Sequence, residues 1–243
     1  MDKHESAGLP AHATAGDTRV AGFLMLVSAF VSIAFVALDP AVTATTSRGI
    51  LEAMVANGTM HRVVHAVELA CVLGLAFGFT SLASTIDTRR SAVQGAWVAY
   101  LIGCIAMVGA AVTDGFITGD VAGYYLKAGH SADTGREMIH FCYVVIQNLA
   151  VVAWFFQSVG VMAMAFALLR ERGLQRIVGM LGLATGALPP AAIVATWPTM
   201  DSSVVIGILV AQLAWNVAAS TLLMRRAPSR GQPVAMRQEP LPA

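Results

Sequence analysis

His61, His65 and Glu68 are spaced for a shared helical face. At 100° per residue, positions i, i+4 and i+7 lie within about 60° of one another. Imidazole nitrogens ligate transition metals and haem iron, and a carboxylate adds a hard oxygen donor or a proton acceptor. Further along, Asp114 closes an apolar run, and His140, Tyr143 and Gln147 repeat the one-face spacing at i, i+3 and i+7. Chemistry at these residues would be metal or haem ligation, or proton transfer. It depends on whether the chain brings the stripes to one level.

The composition says what kind of elements would do so. The 243 residues are 57% hydrophobic and only 12% charged, about half the charged share of a soluble domain. This pattern is that of an integral membrane protein. A net charge of +1 gives no basis for nucleic-acid binding. Cys71, Cys104 and Cys142 all sit inside apolar runs without a CxxC pair, so they read as small core residues. No GxxxxGK[ST], GxGxxG or HExxH pattern occurs, which removes the usual support for nucleotide handling and zincin-type proteolysis.

Hydropathy predicts an all-α bundle of six transmembrane helices, over about 20–38, 61–84, 91–116, 138–169, 177–197 and 202–224. Disordered tails are expected at 1–18 and 227–243, flanking a membrane domain over 19–226. The first apolar run reads as a retained helix, ended by Asp39-Pro40. Residues 43–57 carry one apolar face and suggest a short amphipathic helix on the outer face, stopped at Asn57-Gly58. Thr59 is the expected cap of the second span, and Thr134 with Glu137 has capping-box spacing for the fourth. Pro189-Pro190 should kink or break the fifth span. Gly74-x3-Gly78 and Gly182-x3-Gly186 are small-residue seams, suited to packing within the bundle or, alternatively, to a homo-oligomer. Gln147, Asn148, Gln157, Gln212 and Asn216 suit interhelical hydrogen bonds.

Lys3, Arg19, Arg89, Arg90, Arg170, Arg172, Arg176, Arg225, Arg226, Arg230 and Arg237 fall on one side of this topology. Arg48, Arg62, Lys127 and Arg136 fall on the other. The positive-inside rule then puts both termini in the cytoplasm and the chain in the inner (plasma) membrane.

With the topology set, depth follows from the helical rise. Counted from residue 87, Glu68, His65 and His61 stand about 28, 33 and 39 Å up, and Asp114 stands about 36 Å above residue 90. His61, His65, His130 and His140 all belong to the outer half, while His4 and His12 are in the N-terminal tail. Glu68 is the acid well inside a span, where a charge costs about 2.5–3.5 kcal/mol. A histidine, Arg62 or a bound cation is its expected partner.

The sequence therefore points to a His/carboxylate pocket near the extracytoplasmic face. Haem b would use His65 and His140 as axial ligands. A Zn, Fe or Cu ion would draw on His61, His65, Glu68, Asp114 and His140. With water in an open position, such an ion would support a membrane hydrolase. A proton-coupled small-molecule transporter relaying through Glu68 and His65, and a structural or assembly protein, are the other two classes. Beyond the lipid bilayer, the expected partners are a small molecule, haem or a metal.

Overall fold

The structure is a computed structural model that describes residues 15–40, 42–86, 90–127, 129–196 and 202–225. Residues 226–243, residues 1–14 with His4 and His12, and residues 87–89 and 197–201, where the sequence suggests turns, lie outside the described residues.

The described chain forms α1 (Ala15–Val36), α2 (Ser47–Ile86) and α3 (Ser91–Val112). A π-helical turn (Thr113–Thr118) runs on into α4 (Gly119–Tyr125), followed by α5 (Ala132–Leu169), α6 (Leu174–Thr196) and α7 (Ser202–Arg225). Among the described residues there is no strand. With α3, the π turn and α4 taken as one rod, 6 helices among the described residues are long and apolar enough to cross a bilayer. They close a ring in the order α1, α2, α3, α5, α6, α7, and α2 also touches α5 across it.

The middle of the ring is packed around Phe79, Tyr100 and Trp215, from three different helices. Phe79 stacks on Tyr100 with centroids 3.9 Å apart, and Trp215 lies 5.7 Å from Phe79. The small-residue seams fall inside the bundle. Gly74 and Gly78 receive Ser28 and Met25 of α1, and Gly182 receives Trp215 and Ala165. A Cβ on any of them would collide with the neighbouring helix, so the close approach requires glycine. Gln157 and Gln212 share an interhelical hydrogen bond of 3.1 Å, whereas Asn148 bonds back to its own helix at Val144. Cys71, Cys104 and Cys142 are buried free thiols.

Three of the rods are much longer than a bilayer requires. At 1.5 Å per residue α2 and α5 run to about 60 and 57 Å, against a hydrocarbon core of about 30 Å. Their excess lies at one end, together with α4. There Leu51, Met54, Ala122 and Ile139 form a second, smaller core.

That second core overturns the expected amphipathic surface helix. Residues 47–60 are the first turns of α2, which runs unbroken through Asn57-Gly58. A glycine inside a helix costs about 1 kcal/mol. Burying side chains such as Leu51 and Met54 returns about 1.5–3 kcal/mol each, so packing outweighs the local stop signal. The cap moves accordingly: Thr46 Oγ1 accepts from Gly49 N at 3.1 Å, and Thr59 is mid-helix. On α5 the cap is Ser131, whose side chain accepts from Thr134 N at 3.3 Å, not Thr134. Helix α1 begins at Ala15, inside the expected tail, and α6 continues through Pro189 and Pro190.

Candidate metal centre

The site forms where the short α1 ends beside the middle of α2. After α1 the chain tightens into a turn, with Asp39 N bonded to Val36 O at 3.3 Å. This turns the Asp39 carboxylate back toward α2 instead of leaving it in the connection. On α2, His61 and His65 follow one another on the same face, with rings edge-on and centroids 4.6 Å apart.

The third contribution comes from the π turn. Such turns insert one residue into a helix and re-aim the side chains beside it, and they recur at functional sites. Two threonines bond back to the main chain here, Thr113 Oγ1 to Gly109 O at 2.8 Å and Thr118 Oγ1 to Asp114 O. Such back-bonding competes with the regular ladder and bends helices. Gly115 lies against His65, where a Cβ would collide with the histidine's own Cβ. The turn can therefore approach α2 closely enough for Asp114 to reach both imidazoles.

The result is a group of four: Asp39, His61, His65 and Asp114 each offer a ligand atom, all within 4.8 Å of one another. His61 Nδ1 lies 2.7 Å from Asp39 Oδ1, and its Nε2 lies 3.2 Å from Asp114 Oδ1. The outer oxygens of both carboxylates are thus held by one ring. Their other oxygens turn toward His65, whose Nε2 is 3.9 Å from Asp39 Oδ2 and 3.6 Å from Asp114 Oδ2. His65 is only 6% exposed, and its Nε2 is buried without a hydrogen-bond partner.

The other nitrogen of His65 explains the ring's orientation. Nδ1 lies 2.7 Å from Glu68 Oε2, one turn further along α2. With its proton on Nδ1 and donated to Glu68, the ring presents the Nε2 lone pair to the two carboxylates. A carboxylate, a histidine and a metal arranged in series is the usual outer-shell pattern of metal-ligating histidines. Donors about 2.0–2.2 Å from a common ion stand about 3.3–3.6 Å apart when the shell is tetrahedral. The 3.6 Å from His65 Nε2 to Asp114 Oδ2 matches that edge, and the 3.9 Å to Asp39 Oδ2 would have to close by a few tenths of an ångström on binding.

Of the residues the spacing singled out, His61, His65 and Asp114 meet directly. Glu68 stands behind His65 instead of beside the carboxylates. Arg62, a candidate partner for Glu68, bonds to Asp120 at 2.5 Å on the surface. His140 is exposed and is not a member of the group. His130 stacks on Tyr124 and bonds to its carbonyl. From the α5 stripe, Tyr143 reaches the wall of the cavity beside His61, while Gln147 is exposed.

Asp39 is the member that sequence reasoning missed. Read with its proline it is a helix terminator, which it also is. The signal available was topological: it closes the first span at the same end of the bundle as His61 and Asp114.

The chain matches no protein-family model, and no curated protein and no solved structure is similar to it. What fold and site define is therefore a class: an all-helical protein with six bilayer-length helices and a His/Asp group within metal-binding distance.

Proposed function

We propose that this chain is a multi-pass inner-membrane protein, both termini cytoplasmic, that binds one divalent transition-metal ion near its extracytoplasmic face. His65, Asp39 and Asp114 are the ligands, and His61 either completes the shell or holds the two carboxylates in place. The observation that carries this reading is the buried, unpartnered His65 Nε2 facing two carboxylate oxygens while Glu68 holds Nδ1.

Electrostatics supports a cation there. Asp39, Asp114 and Glu68 bring three carboxylates close to two histidines at the edge of an apolar bundle. Each costs up to about 2.5–3.5 kcal/mol if it is carried charged into the bilayer. A divalent ion offsets two of those charges. Imidazole with carboxylate suits Zn, Fe or Mn; Cu(I) prefers thiolate or thioether sulfur, and none of the three thiols belongs to the group. Haem b across His65 and His140 has less support, because the donors facing His65 Nε2 are carboxylates and His140 is exposed. The ion's role is metal handling or metal-dependent chemistry in the membrane.

Elemental analysis of detergent-purified protein, with an absorption spectrum of the same sample, tests this. One equivalent of metal, lost in His65→Ala and in Asp39→Ala, is the expected result. A Soret band lost in His140→Ala, or protein that stays metal-free after loading with Zn, Fe or Mn, would overturn the proposal.

A further inference from the structure

Two chambers meet at the carboxylate pair, one of mixed lining and one almost wholly apolar. One, of about 270 Å³, is walled by Pro40, Asn57, His61 and Tyr143 together with Asp39 and Asp114. The other, of about 200 Å³, has His65 and Glu68 at one edge and is otherwise walled by side chains such as Met107, Ala111, Ile146 and Ala150. Val36, Asp39 and Asp114 line both.

Their order along the bundle follows from the helix positions that line them. On α2 the first chamber is lined by Asn57 and His61 and the second by His65 and Glu68. On α5 Tyr143 lines the first, and Ile146 and Ala150 line the second. Asn57 to Glu68 is about 16 Å along the helix axis. The chambers are therefore stacked: the more polar one lies toward the end where α2 projects, the apolar one toward the bundle middle, with the donor group between them. Trp154 also lines the apolar chamber, and its buried indole N–H has no protein acceptor.

We infer that the site takes a single-chain amphiphile, whose oxygen-bearing head of the carboxylate class sits at the ion between Asp39 and Asp114 and whose aliphatic tail fills the apolar chamber. This rests on the metal reading above. Small-molecule sites combine apolar walls with a few convergent polar groups, in cavities of about 300–1,000 Å³, and the two chambers together are of that size. A small polar ligand would leave the Met107–Ile146–Ala150 walls uncovered. A tail covers them, and a helix bundle of bilayer length has acyl chains as its solvent. The buried, unpartnered Nε2 of His65 marks the position of the ion, and so the end of the apolar chamber at which the head binds.

The test uses the full chain in detergent, loaded with Zn(II), and a homologous series of straight-chain alkyl hydroxamates as probes. Metal content is measured in the same samples. Affinity should rise about fourfold per added methylene until the chamber is full, then level off. Ala150→Phe narrows the chamber and should move the plateau to shorter chains with metal content unchanged. Ile146→Ala widens it and should move the plateau to longer ones. Protein stripped of metal reports the background from partition into micelles. Full metal content with one chain-length profile in wild type and both variants would overturn the inference and leave the metal reading standing. A chain that takes up no Zn(II) would overturn both.

Discussion

Replacing Glu68 isolates the outer-shell contact on which the orientation of His65 depends. Glu68 is not a member of the four-residue group, but its Oε2 holds His65 Nδ1 at 2.7 Å. Glu68→Ala removes that acceptor. The ring is then free to turn or to carry its proton on Nε2, where it can no longer ligate. Loss of such an outer-shell partner typically weakens metal binding about 10–100-fold, or about 1.4–2.8 kcal/mol. Glu68→Gln keeps an acceptor and removes only the charge, so it should lie at the low end of that range. Competition of purified protein against a chromogenic chelator at fixed pH gives both affinities. Wild-type affinity in Glu68→Ala would refute the reasoning. A loss as large as that of His65→Ala would also refute it, by making Glu68 a ligand in its own right.

Three further outcomes follow from the same geometry. Gly115→Ala pushes a Cβ into His65, and overpacking of this kind costs about 1–3 kcal/mol; the unfolding midpoint and the metal affinity should fall together in a thermal titration. Arg62→Ala breaks a pair whose side chains are 51% and 72% exposed; it should change stability by no more than about 1 kcal/mol and leave metal content unchanged. Because His65 and both aspartates must be deprotonated to ligate, binding releases protons. Metal affinity should therefore fall as pH is lowered, which isothermal titration at several pH values would show.

Much of the helical framework is legible in the chain. Long uncharged runs require helices in an apolar solvent, and the helix-face spacing of His61, His65 and Glu68 needs no tertiary information. What stays hidden depends on contacts distant in sequence. Asn57-Gly58 carries a local stop signal, and only the packing of Leu51 and Met54 against Ala122 and Ile139 overrides it. The π turn depends on threonine back-bonds and on Gly115 meeting α2, neither of which leaves a periodicity to read. Asp39 looks like punctuation because its role is set by where α1 ends in space. His140 marks the limit of the depth count, which places it at that end of the bundle but says nothing about which way a side chain faces; it is exposed and outside the group of four.

X-ray absorption at the edge of the bound metal tests the central claim most directly. The account predicts a shell of nitrogen and oxygen donors at about 2.0–2.2 Å with imidazole scattering, abolished together with the metal in His65→Ala. Sulfur scattering near 2.3 Å, or an unchanged spectrum in His65→Ala, would contradict it.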